Sequence, residues 1–255
     1  MSAPRKRQQI LLSRGLQFSF LLGLLMMWYL ATALWGINRI LLPAPATVWR
    51  EFGDVLRSGE FLPHLRLTLV ELASAFAIAC TLGLSSGYLV SRSRHAMAVF
   101  EPLLASIYSV PMILLLPLYV LFFGLGSGSK IALGATVSFF PIVLNTIAGF
   151  GSVERIFITS ARAMGASNAQ MFRYVLLPGA LPVVVTGLRM GFTIALLAIL
   201  GSETIASFAG LGHKIAQLAE AMETARMFAY IAFAVAIVAM LNIITTSLER
   251  LAKQQ

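Results

Sequence analysis

Charged residues are sparse along this chain, and they fall between long apolar stretches. No residue is charged between Arg14 and Arg39, a run of 24. Further charge-free runs cover 72–91, 102–129, 131–153 and 227–248, of 20, 28, 23 and 22 residues. A sixth run, 174–202, is broken only by Arg189. About 20 predominantly apolar residues suffice for a helix to cross a bilayer. The pattern therefore predicts about six transmembrane helices. Helices satisfy their own backbone hydrogen bonds in lipid, so the fold class is an all-α membrane protein. Two intervening segments have a different character. In 46–56, Val48, Phe52 and Val55 share one helical face while Arg50, Glu51 and Asp54 lie elsewhere. That predicts a short amphipathic helix, entered through the stiff Pro43 and Pro45.

Composition sharpens this picture. The chain has 255 residues, 58% of them hydrophobic and 11% charged. A soluble domain carries about 25% charged residues, so a soluble enzyme is excluded, and low hydrophobicity, the signature of disorder, is missing. One cysteine, Cys80, leaves no internal disulfide and no Cys-based zinc site. His64, His95 and His213 lack metal-ligand spacing. With the N-terminus inside, twelve Lys/Arg lie on the cytoplasmic side and seven on the other. This bias predicts both termini in the cytoplasm and accounts for the net charge of +9 without nucleic acid. Arg5, Lys6 and Arg7 before an apolar run, with Ala31-Thr32-Ala33 after it, also have the grammar of a signal peptide. The length of the run and the aromatic anchors Trp28, Tyr29 and Trp35 favour a retained helix.

The inner segment 154–181 is the most informative. Gly165 suits a helix C-terminus, and Ser167 with Gln170 has the spacing of a capping box. The expectation is helix, turn, helix, with Pro178 ending the second helix. Met171, Phe172 and Val175 form an apolar patch on that helix beside Arg173. Such an elbow is either a docking surface for another protein or a loop helix lying on its own membrane domain. Glu203 closes the run 174–202 near the outer face. A charge there is a functional candidate, an outer-gate residue together with Gly210 and Gly212, or a carboxylate that snorkels to water. Ser202 and Thr204 are its nearest candidate partners. Gly124–Ile131 looks like a phosphate loop but has Ser129 before Lys130 and Ile131 after it, so it is read as a Gly-rich turn.

The order Thr159-Ser160-Ala161, three residues, Gly165, nine residues, Val175-Leu176-Leu177-Pro178 resembles the EAA loop of type I ABC importer permeases. That pattern is E-A-A, three residues, Gly, nine residues, I-x-L-P; here Thr159 replaces Glu, Ser160 replaces Ala and Val175 replaces Ile. Leu42-Pro43-Ala44-Pro45, Phe140-Pro141-Ile142 and Ser202-Glu203-Thr204 with Gly210-Leu211-Gly212 are similar to the nitrate, sulfonate, taurine and bicarbonate branch. The resemblance covers roughly residues 40–250. It implies the type I permease fold with cytoplasmic coupling helices. It divides the chain into 1–62, with the first helix and the amphipathic segment, a permease core 63–250, and a tail 251–255. It implies a homodimer with a second permease copy, two cytoplasmic ATP-binding subunits and an extracytoplasmic solute-binding protein. ATP and Mg would reside on the ATPase partner, with no cofactor on this chain. Coupling would rest on Thr159, Ser160, Ala161, Gly165, Ala166, Phe172, Val175, Leu177 and Pro178. The solute would be a small organic or inorganic anion, crossing a bacterial inner membrane. The contrasting reading is a secondary transporter or channel, which ordinarily shows paired broken helices and mid-depth charges. A membrane enzyme would need clustered acid or His groups.

Overall fold

The computed structural model describes residues 3–34 and 37–252, with side chains described from residue 15 to 246 except at 17, 18, 21, 35, 36, 244 and 245. Trp35 and residues 253–255 of the tail lie outside the described residues. The described residues contain helices and no strand. In order these are α1 (Ala3–Leu34), α2 (Pro45–Ser58), α3 (Phe61–Ser91), α4 (Arg94–Tyr108), α5 (Leu116–Phe123), α6 (Ser127–Gly151), α7 (Arg155–Ala163), α8 (Asn168–Met171), α9 (Leu177–Ile205), α10 (Leu211–Glu220) and α11 (Thr224–Ala252). Among the described residues, four stretches are long and apolar enough to cross a membrane: 61–91, 127–151, 168–205 and 224–243. The pair α4 and Met112–Phe123 is apolar enough to make a fifth only when taken together, as a broken span or a re-entrant loop bent by 72°. The run 102–129 is therefore not one straight helix. Pro111, at the break, lacks the N–H that would continue α4. The first expected span falls in α1, of which Leu22–Leu34 is the apolar stretch described.

Two compact units divide the chain: 1–60 with 215–233, and 61–214 with 234–255. In the first, α2 is the expected amphipathic helix, with Val48 and Val55 buried. Pro45 opens it and Gly59, at φ 69°, closes it in the left-handed conformation. The Trp28 indole donates to the Pro43 carbonyl at 3.1 Å and its ring meets Phe228. Arg226 pairs with Glu60 at 2.5 Å.

In the second unit α6 packs against both α3 and α9. Small residues let these helices approach closely, the usual device where lipid supplies no hydrophobic drive between helices. At Gly87 a Cβ would lie 2.6 Å from Thr146, and at Gly191 2.7 Å from Ile142. Leu72, Ala75, Ala195 and Ile199 form the core on one side of α6. Leu133, Val137 and Phe140 meet Met112 and Leu116 of the bent segment on the other. The aromatic rings of Tyr108 and Phe140 stack there at 5.6 Å.

Candidate functional site

The segment after α6 forms the predicted elbow. α7 ends at Ala163, and Gly165 takes φ +79°. Its N–H donates to the Arg162 carbonyl at 2.9 Å, and the Ala166 N–H to the Ala161 carbonyl at 3.0 Å. These are the two bonds of a Schellman closure, which needs the left-handed residue between them. Ser167 then opens α8 with a full capping box. The Gln170 N–H donates to Ser167 Oγ at 3.3 Å, and the Ser167 N–H to Gln170 Oε1 at 2.8 Å.

Beyond α8 the structure departs from expectation. Pro178 does not end the helix. Residues 172–176 make one π turn, and α9 continues from Leu177 with Pro178 in its first turn. Proline lacks the N–H that would continue the α-helical ladder, and the wider turn just before it takes up the register change without a break. The second elbow helix is thus the root of a membrane span.

The apolar patch is also placed differently. Met171 is buried, and Phe172 packs between Tyr88 of α3 and Phe150 of α6, at centroid distances of 5.2 and 6.1 Å. These two side chains anchor the elbow on its own helices rather than facing outward. The exposed apolar surface lies elsewhere: Ile156 and Phe157 on α7, Met164 in the turn (81% exposed), and Tyr174 on the π turn. Phe157, Ser160, Met164, Tyr174 and Val175 line a groove of about 410 Å³. Of the residues assigned to coupling, Thr159, Ser160, Gly165, Leu177 and Pro178 are exposed, Ala161 is buried, and Ala166, Phe172 and Val175 are half-buried. Ser167→Ala is expected to lower thermal stability by about 1 kcal/mol, the worth of a helix N-cap, measured as the unfolding midpoint in detergent.

A second site lies at the far end of α9, which with 29 residues spans about 43 Å. Glu203 is fully buried and does not snorkel. Its Oε1 accepts from Thr68 Oγ1 at 2.6 Å and its Oε2 from the Gly212 N–H at 2.7 Å. Ser202 and Thr204 bond instead to carbonyls of their own helix, at Ile199 and Gly201. A helical hydroxyl reaches back along its own helix more readily than sideways to its neighbour. Gly210-Leu211-Gly212 does cover Glu203, as the tight entry to α10. Gly210 has φ +109°, its N–H donates to His64 Nδ1 at 3.3 Å, and the Leu211 N–H to Thr68 Oγ1 at 3.1 Å.

Two further members carry no site role in the sequence reading. Glu71 lies ten residues inside α3 and is 1% exposed; Lys130 lies in the first turn of α6 and is fully buried. Lys130 Nζ donates to the carbonyls of Leu125 and Gly126, the latter at 2.9 Å. The Gly-rich segment is thus a turn whose carbonyls engage a lysine, the opposite polarity to a phosphate loop.

A family described as the binding-protein-dependent transport system inner membrane component matches residues 79–254. The chain belongs to this family. It is an inner-membrane transport permease with several apolar helices, as the pattern from Thr159 to Pro178 led us to expect. The taurine transport system permease protein of Escherichia coli is 31% identical over 232 residues, covering 89% of this permease and 84% of that one. The riboflavin transport system permease protein of Chloroflexus aurantiacus is 33% identical over 237 residues, covering 93% and 88%. An inward-facing structure of the MetNI methionine ABC transporter shares the fold, with a TM-score of 0.64 at 20% identity, over 75% of this permease and 95% of that chain. The first of these belongs to the branch that the sequence resembles.

Proposed function

We propose that this permease works as a homodimer, each copy engaging a cytoplasmic ATP-binding subunit through its elbow. Solute arrives from an extracytoplasmic binding protein, and ATP with Mg is hydrolysed on the partner subunits. Both chain termini face the cytoplasm, which follows from the Lys/Arg bias. The observation that carries the reading is the elbow itself: a rigidly closed turn that exposes Phe157, Met164 and Tyr174 around a groove while Phe172 fixes it to α3 and α6. A lever needs both a docking face and a stiff root. Closure of the partner subunits would move the elbow as a body and shift the population between inward and outward states.

The solute is a small anion of the sulfonate or taurine type, a class supported by the taurine permease relative. The binding protein would set most of the selectivity. Glu203, Gly210 and Gly212 belong to an outer gate, supported by their tight cluster at the end of α9 remote from the elbow.

The test is co-purification from mild detergent followed by an ATPase assay. An ATP-binding subunit should copurify with the wild type. Met164→Glu, which places a charge on the exposed apolar face, should reduce its recovery at least tenfold. Undiminished recovery would move the docking face elsewhere. Solute movement driven by an ion gradient without any ATPase would favour a secondary transporter.

A further inference from the structure

The cluster at the far end of α9 brings together three buried ionisable side chains: Glu71, Lys130 and Glu203. With both carboxyls ionised, their formal charges leave one negative charge uncompensated. An unpaired charge held away from water is strongly destabilising. The shortfall lies at Glu71. Glu203 has a donor on each oxygen, Thr68 Oγ1 and the Gly212 N–H. A threonine hydroxyl has a single proton to give. The contact to Glu203 at 2.6 Å is shorter than that to the His64 carbonyl at 3.1 Å, so that proton points to Glu203. Glu71 has Ser127 within hydrogen-bonding reach, but its Oε2 is buried with no donor. The Glu71 carboxyl instead faces the carboxyl of Glu203 within hydrogen-bonding reach. Two carboxylates facing each other repel unless a proton lies between them.

We propose that Glu71 and Glu203 form a carboxyl pair that holds one shared proton. The pair then carries a single negative charge, balanced by Lys130, and the proton relieves the repulsion between the two facing carboxyls. The proton belongs to the pair as a unit rather than to either residue. The surrounding groups are accounted for. Lys130, from α6, is the cation near both carboxyls. His64 of α3 is engaged by the Gly210 N–H, and His213 and Lys214 of α10 lie near His64. The occupied site ties α3 to the end of α9 and the entry to α10, the three elements that meet at Thr68, Glu203 and Gly212. This assignment is independent of the transported solute and of the ATPase partner.

The test is infrared spectroscopy of the intact permease in lipid nanodiscs at neutral pH. The other acids with described side chains are all at least partly exposed. A protonated-carboxyl band, shifted by deuterium exchange, should therefore appear at one per chain. It should vanish in Glu71→Gln and equally in Glu203→Gln, because each leaves one carboxylate against one lysine. Absence of the band in the wild type would overturn the proposal, and that measurement needs no variant to fold. Survival of the band in either variant would show a lone protonated acid rather than a shared proton, and would also overturn it. Sodium is replaced by choline at constant ionic strength as a second arm. An unchanged unfolding midpoint is expected; a fall on removing sodium would mean that a metal cation, not a proton, fills the site.

Discussion

Gly165→Val is expected to insert into the membrane normally and to lose uptake by more than tenfold. The change opens no contact at the Cβ, since nothing lies within 4 Å of one at that position. What it opposes is the backbone. Gly165 holds φ +79°, a region that costs an ordinary residue about 1–2 kcal/mol and a β-branched one more. Two bonds depend on that conformation, from Gly165 to Arg162 and from Ala166 to Ala161. If the substituted valine relaxes toward negative φ, both bonds break and α7 leaves its angle to α8. The spans, whose packing lies elsewhere, are untouched. Surface labelling and protease mapping would report insertion, and solute accumulation in cells would report uptake. Gly165→Asn is the informative control, because asparagine tolerates the left-handed region, and it should retain most of the uptake. Normal uptake by a well-inserted valine variant would remove the elbow from coupling.

Gly212→Ala carries the largest expected loss of stability, about 3–5 kcal/mol. A Cβ there would overlap the Leu200 carbonyl and lie 2.7 Å from Glu203 Cβ and 3.1 Å from Thr204 N. These atoms belong to the end of α9, so relief requires a shift of backbone rather than of a flexible side-chain tip. Overpacking alone costs about 1–3 kcal/mol. Displacing the Gly212 N–H from Glu203 adds the loss of a hydrogen bond to a charged group, about 1.5–3 kcal/mol. The unfolding midpoint in detergent should fall steeply, and the yield of monodisperse protein should fall with it. Gly53→Ala is the matched comparison. Gly53 lies inside α2 with nothing within 4 Å of a Cβ, so alanine should raise helix stability by roughly 0.5–1 kcal/mol. A Gly212→Ala protein that melts like the wild type would mean that the turn into α10 is looser than the geometry at Glu203 implies.

The elbow was legible for local reasons. Ser167 and Gln170 cap a helix through atoms three residues apart, and Gly165 occupies its position because of its own backbone angle. Neither depends on what the chain does elsewhere. The amphipathic face of α2 is legible in the same way. Pro178 is ambiguous in the sequence because a proline that stops a helix and one that a helix passes through on a π turn look alike unless the partner of each carbonyl is known. Met171 and Phe172 are apolar whether they face a partner or the aromatic rings of Tyr88 and Phe150. Only the placement of α3 and α6 beneath them distinguishes the two.

The charges make the same division most clearly. From the sequence alone, the cost of leaving an ionised group in lipid marked the apolar helical stretches and the membrane class. It also placed Glu71, Lys130 and Glu203 at span ends, because a charge ends an apolar run whatever its surroundings. Whether such a charge reaches water or turns inward depends on which other helix ends share its level. Only the tertiary structure decided that. Packing α6 between α3 and α9 brings two distant carboxyls and one lysine into a single dry cluster. Their energetics there arise between helices rather than along any one of them.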